Sequence, residues 1–258
     1  ARYYLVLPDG IGHGKSSRPS EGLRGRFPRY GYGDMVEAQR RLLVEHLGVT
    51  HLRAVIGTSM GAMHAWVWAT TFPDFVDGIV PLAAVPTQIA GRNRMWRKLM
   101  LDFVRTDPTF LGGDYTAQPA GLRAALGILW LVGTAPIPQQ LATPTRESAD
   151  SAMVRWMASA LPRYDANDLA YAVDASWDYD PSPHLGRVRA PVLAINSADD
   201  FINPPELGLM EQWLPRVPSA TRYVLIPASA RTRGHSTHSE AALWKATLAE
   251  WLAGVPPR

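Results

Sequence analysis

Apolar residues along the chain fall into short unbroken runs separated by longer stretches of helical spacing. Arg2–Pro8 (RYYLVLP) is aromatic and branched and leads into the glycine-rich turn Asp9–Gly14, the pattern of a buried strand. Residues 15–33 are polar and broken by Pro19 and Pro28, as in a loop. A helix is expected next, with Asp34 as N-cap, Glu37 three residues on, Met35, Ala38, Leu42 and Leu43 on one face, and Gly48 as its stop. Leu52–Gly57 predicts a second strand, the run from Met60 to Phe72 a helix, and Gly78–Ala83 a third strand. Strands alternating with helices predict a parallel sheet covered on both faces.

The pattern then changes. Residues 86–184 carry no convincing strand and read as helices rich in Leu, Ala and Trp, broken by prolines. Strand patterning returns at Ala190–Asn196 (APVLAIN) and Arg222–Ala228 (RYVLIPA). A last helix is expected over about Glu240–Ala253, with Trp244, Leu248, Trp251 and Leu252 on one face. The chain thus divides into a parallel α/β core, residues 1–85 and 185–258, interrupted by a helical cap, residues 86–184.

Composition narrows the chemistry. Of 258 residues 47% are hydrophobic and 19% charged, enough for a large buried core. The net charge of +3 is too small and scattered for a nucleic-acid surface. The absence of cysteine excludes a disulfide framework, thiolate metal sites and a cysteine nucleophile, but leaves the compartment open between cytoplasmic and exported. Ala124–Thr145 is uncharged, but its prolines and glutamines argue for a buried helix rather than a membrane span.

The strongest local signal is Gly57-Thr58-Ser59-Met60-Gly61, which fits G-x-S-x-G between a strand and a helix. Such a turn strains the serine backbone and lifts its hydroxyl above the sheet edge, while Gly57 and Gly61 are expected to allow close approach of neighbouring elements. The Met60 N–H, at the helix start, can bind a developing oxyanion. A serine hydroxyl needs a base. Among the seven histidines His235 sits in a loop after the last strand, at the sheet edge that also carries Ser59; His238 competes with it. His46 and His51 read as surface residues and His64 as packing on the serine helix. The loop after APVLAIN offers Asp199 and Asp200 to orient the base, and the D-x-x-x-P spacing to Pro204 favours Asp200. The order Ser59, Asp200, His235 is that of α/β-hydrolases.

Other chemistries fit less well. Asp9–Ser16 misses both the phosphate-loop and the dinucleotide-binding patterns by one residue each. His235 and His238 with Asp199 and Asp200 make a weak metal pattern, and no cofactor is expected. Arg92, Arg94, Arg97, Lys98 and Arg105 form a basic run that reads as a solvated helix face, with contact to an acidic substrate as the alternative.

With these residues in place the chain resembles the α/β-hydrolase superfamily, and within it the homoserine O-acetyltransferase-like branch. DMVEAQRRLLVEHLGV and AVIGTSMGAMHAW are similar to that branch's helix and elbow, DPTFLGGDYTAQPAGL and RYDANDLAYAVDASWDYD to its cap, and SADDFINPPE to its acid loop. The last match independently selects Asp200. The chain departs from the branch where Leu126 stands at the position of the arginine that holds the homoserine carboxylate, at Ala62 and His64, where the transferases favour Gly and Gln, and at GHSTH, where they carry GHDAFL. The resemblance also implies two or three strands ahead of residue 2 and an HG-type loop supplying a second oxyanion N–H, so an N-terminal segment is expected outside this chain. The expectation is a serine-dependent hydrolase acting on a carboxylic ester or related acyl compound through an acyl-enzyme intermediate. An acyltransferase drawing on acyl-CoA and a non-catalytic binding protein on a hydrolase scaffold are the alternatives. Oligomeric state is open, a homodimer included.

Overall fold

In the computed structural model, which describes residues 3–256, four strands form one parallel sheet in the order in which they occur along the chain. They are β1 (Val55–Thr58), β2 (Ile79–Leu82), β3 (Val192–Ser197) and β4 (Thr221–Ile226). Register runs Val55 to Ile79, Leu82 to Ile195 and Val192 to Thr221. The two central strands, β2 and β3, are buried at every position, as continuous apolar runs in a parallel sheet should be.

The expected first strand is not one. Arg2 lies outside the described residues, and from Tyr3 to Pro8 the backbone is irregular. Tyr4, Leu5 and Leu7 are 78%, 77% and 91% exposed. Strand propensity is realised only when a neighbour accepts the backbone hydrogen bonds and covers the side chains. Among the described residues no strand pairs with this segment.

Helix α1 (Tyr32–Arg41) starts earlier than its sequence suggests. Gly31 is the N-cap, and Asp34 is the third helical residue, whose carboxylate reaches back to accept the Gly31 N–H at 2.8 Å. Helix α2 (Met60–Thr71) follows β1 directly and is apolar all round; Ala62, Ala65, Trp66 and Ala69 are buried, as suits a helix lying between the sheet and α1.

Between β2 and β3 stand five helices: α3 (Gly91–Arg105), α4 (Ala120–Gly133), α5 (Pro136–Ala142), α6 (Arg146–Ala160) and α7 (Ala166–Asp174). They enclose an apolar cluster of their own, which includes Trp96, Met100, Val104, Leu122, Leu126, Met157 and Leu169. Helices α3 and α4 cross so closely that a Cβ at Gly121 would lie 1.9 Å from the Phe103 carbonyl oxygen. The uncharged stretch is buried only in part: Ala125, Leu126 and Ala135 are buried, while Leu131, Ile137 and Leu141 are exposed. Helices α4 and α5 bend by 104° at their junction, and no single helix among the described residues is long and apolar enough to cross a membrane. After β3 come α8 (Leu209–Trp213), β4 and α9 (Lys245–Gly254). Helix α9 and its preceding turn lay Trp244, Leu248 and Trp251 against Val80, Leu82, Leu193 and Ile195 of the sheet.

Candidate active site

Three loops leave the same end of the sheet because its strands share one direction. The first carries Ser59, the residue between β1 and α2. Its backbone sits at φ 50°, ψ −112°, a region that non-glycine residues avoid. The geometry is held by the Ser59 N–H, which donates to the Leu82 carbonyl at 2.8 Å, and by the Ser59 carbonyl, which accepts from Ala62 and Met63. Strain of about 1–3 kcal/mol persists only where the surroundings enforce it. Gly57 is part of that enforcement: a Cβ there would lie 2.0 Å from the Gly61 carbonyl oxygen. Gly61 itself differs from expectation, since a Cβ at that position meets nothing within 4 Å. The Met60 N–H, first in α2, has no acceptor within the helix and is directed as helix N-terminal donors are.

The second loop follows β3 and brings Asp200. The carboxylate is almost fully buried and takes hydrogen bonds from the Ile202 N–H (2.7 Å), the Asn203 N–H (3.1 Å) and the Asn203 amide (3.3 Å). That amide also donates to the Ala83 carbonyl at 2.9 Å, which ties the acid loop to the end of β2. Burial alone would raise the Asp200 carboxyl, but the adjacent His235 ring and the N–H donors outweigh it and hold the group below its ordinary value.

The third loop, after β4, brings His235. Its Nδ1 lies 2.9 Å from Asp200 Oδ2 and its Nε2 lies 2.7 Å from Ser59 Oγ. With Nδ1–H donating to the carboxylate, Nε2 is left as acceptor for the serine hydroxyl. The chain therefore joins a hydroxyl, an imidazole and a carboxylate in one linear array, buried beneath a cavity.

The remaining candidates are not hydrogen-bonded into this array. His238 packs edge-on against His235, with ring centroids 5.3 Å apart, and its Nδ1 bonds Ser239 Oγ at 3.1 Å. Burial lowers it to about 4. His51 pairs with Asp77 at 2.7 Å, and His64 packs on Tyr32 beneath α2. Asp199 does not bond His235 but has partners of its own. Its carboxylate accepts from the Ser197 hydroxyl, from Thr232 Oγ1 at 2.7 Å and from the Gly234 N–H at 3.3 Å, so it ties down the loop that carries His235. Only its adjacency to Asp200 marked it in the sequence. Gly234, at φ 62°, also runs against the end of the inserted helices: a Cβ there would lie 2.8 Å from the Thr134 carbonyl carbon, and Ser236 Oγ donates to the Gly133 carbonyl at 3.0 Å.

Above Ser59 and His235 opens a cavity of about 930 Å³, roofed by α3 and the start of α5 and floored by the ends of β2 and β3. Its walls are mostly apolar, with Met63, Val85, Ile89, Ile137 and Trp213 among them. This is the size and character of a small-molecule site.

The pattern of the alpha/beta hydrolase fold matches residues 1–231. The chain belongs to the α/β-hydrolase family. Within it the chain lies in the branch that resembles homoserine O-acetyltransferases. It is 30% identical over 246 residues to a homoserine O-acetyltransferase of Haemophilus influenzae, covering 83% of this chain and 67% of the relative. A probable esterase of Corynebacterium glutamicum is 28% identical over 246 residues, covering 89% of this chain and 68% of the relative. The crystal structure of an acetylester hydrolase from Corynebacterium glutamicum superposes with a TM-score of 0.80 at 25% identity, covering 95% of this chain and 74% of that one. The chain spans about two thirds of the length of the curated relatives it matches. The family relationship makes it a member of an enzyme superfamily that holds both esterases and acyltransferases.

Proposed function

We propose that the chain is a serine hydrolase for small carboxylic esters, working through an acyl-enzyme. The observation that carries this reading is the continuous hydrogen-bonded array from Ser59 through His235 to Asp200, with 2.7 and 2.9 Å links, at a strained strand-to-helix turn. Ser59 Oγ attacks the acyl carbonyl carbon as His235 Nε2 takes the hydroxyl proton. Asp200 keeps the ring oriented and stabilises the imidazolium. The carbonyl oxygen becomes an oxyanion beside the Met60 N–H, a donor worth about 10²–10³ in rate in comparable sites. The carbon–oxygen bond to the alcohol then breaks, and His235 returns the proton to the departing alkoxide. Water repeats the sequence on the acyl-serine and releases the acid.

A second reading, transfer of the acyl group to another alcohol, is favoured by the relatives named homoserine O-acetyltransferase. Against homoserine as acceptor stands Leu126. It is fully buried among Trp96, Met100 and Leu122, and an arginine there would place a charge in an apolar cluster rather than in the cavity. Hydrolysis of 4-nitrophenyl acetate by the wild type and by Ser59→Ala tests the first reading. The variant should lose turnover and labelling by a fluorophosphonate while its unfolding midpoint stays within a few degrees, and undiminished turnover sinks the mechanism. Product analysis with acetyl-CoA and a panel of alcohols separates the two readings, because only a transferase makes ester in preference to free acid.

A further inference from the structure

The basic run on α3 is not a uniformly solvated face. Lys98 pairs with Asp102, Arg105 reaches Asp174, and Arg94 is exposed. Arg92 sits at the cavity rim, donating to the Phe201 carbonyl at 2.5 Å with its guanidinium over the Phe201 ring. Arg97 turns the other way. Only 8% of it is exposed, and that part lines the cavity shared with Ser59 and His235.

Every group that holds Arg97 is neutral. Its Nε donates to Asn93 Oδ1 at 3.0 Å and its Nη1 to Ser176 Oγ at 3.3 Å, and the neutral Tyr32 phenol lies nearby. The guanidinium carbon lies 4.8 Å from the Trp96 ring centroid. Among the described residues no carboxylate forms an ion pair with it. The acids that share the cavity are occupied or remote in exposure: Asp200 holds His235, Asp199 holds Thr232, and Glu206 stands in solvent. A guanidinium taken out of water without a counterion is costly, and neutral acceptors offset only part of that cost. Arginine's planar fork, held rigid by Asn93, Ser176 and Trp96, is suited to a planar oxyanion.

We propose that Arg97 anchors a carboxylate on the substrate, remote from the ester bond, so that the preferred esters are anionic rather than neutral. The proposal rests on the ester-hydrolase reading for which bond is cut, but the binding of the anion does not. A carboxylate on the acyl side and one on the alcohol side present the same chemistry to Arg97, and the test carries both.

Binding is measured by calorimetry on Ser59→Ala, which removes turnover from the readout. The alcohol-side pair is 3-acetoxybenzoate against its neutral isostere 3-acetoxybenzamide; the acyl-side pair is 4-nitrophenyl hemisuccinate against 4-nitrophenyl pentanoate. In at least one pair the anion should bind about tenfold or more tighter. That ratio should collapse towards one when Arg97→Met is added, recover in part with Arg97→Lys, and stand unchanged with the surface control Lys98→Met. Steady-state kcat/KM on Ser59-intact protein should show the same preference, mainly through KM. Equal binding of anion and isostere in both pairs overturns the proposal without recourse to any variant, as does an anion preference that survives Arg97→Met. If neutral esters are turned over by the wild type and not by Ser59→Ala, the hydrolase reading stands whatever these ratios show. If Ser59→Ala turns over esters as the wild type does, that reading falls, and the anion preference and its response to Arg97→Met are then read from KM, which still decides Arg97.

Discussion

Asp199 and Thr232 meet across two loops, the threonine hydroxyl donating to the carboxylate at 2.7 Å. This contact joins the segment that supplies Asp200 to the segment that supplies His235. Asp199 touches neither His235 nor Ser59, so its effect is on where the base sits. Asp199→Ala should lower kcat on a neutral aryl ester by about tenfold or more, since small misplacements of catalytic groups are expensive. Asp199→Asn keeps an oxygen for Thr232 and Gly234 and should recover most of the rate. Equal loss in both variants would point to charge rather than position.

In the proposed mechanism Asp200 sets the tautomer of the base. In Asp200→Asn the oxygen can still accept from Ile202 and Asn203, so the loop should hold. The amide then faces His235 Nδ1 as a donor and leaves the ring proton on Nε2, directed at Ser59. A fall in kcat of about 10³–10⁴ is expected, with KM little changed. Steady-state kinetics of the variant, with its folding checked by circular dichroism, decides this.

The two glycines of the elbow should respond in opposite ways. Gly57→Ala drives a methyl into the Gly61 carbonyl and should either unfold the protein or abolish turnover. Gly61→Ala meets open space on the first turn of a helix and should be neutral or stabilising by up to about 1 kcal/mol. Thermal unfolding of the pair is the measurement. A severe loss in Gly61→Ala would mean that another group fills the space beside it.

Acid should destabilise the fold through His64. Burial, with His13 nearby, lowers this ring from 6.5 to about 4. The unfolded chain binds its proton near 6.5 and the folded chain only near 4, so between those values the unfolded state holds more protons and stability rises with pH. The stabilisation is complete above pH 6.5 and is lost progressively as pH falls to about 4, by at most roughly 3 kcal/mol. His64→Gln cannot titrate, and its denaturant midpoint should change less between pH 7 and pH 5 than that of the wild type. Parallel pH profiles would exclude His64 as the source.

Much of this was legible in the sequence because parallel sheets advertise themselves twice, as unbroken apolar runs and as chemistry at the strand ends. Val192–Ser197 and Ile79–Leu82 are central, buried on both faces, and read without ambiguity. Ser59, Asp200 and His235 each follow a strand, so topology alone brings them to one edge. The Tyr3–Pro8 segment misled because aromatic and branched residues signal a strand locally, whereas pairing is decided by neighbours. Asp34 misled by three residues, since a capping box reads much the same whichever end is taken as the cap. Arg97 was hidden among four other basic residues; which of them turns inward depends on the packing of Trp96 and Met100, not on its own type. Asp199 was legible as a loop acid, but its partners, Thr232 and Gly234, lie on another strand's loop and leave no local signal.

Gly234 lies flush against Thr134, and Ser236 is bonded to Gly133, so the far end of α4 and the histidine segment are in gear. The helices over the cavity cannot lift at that corner without loosening the base beneath them. The corner where α4 ends is thus a strut for the histidine segment as well as part of the insertion.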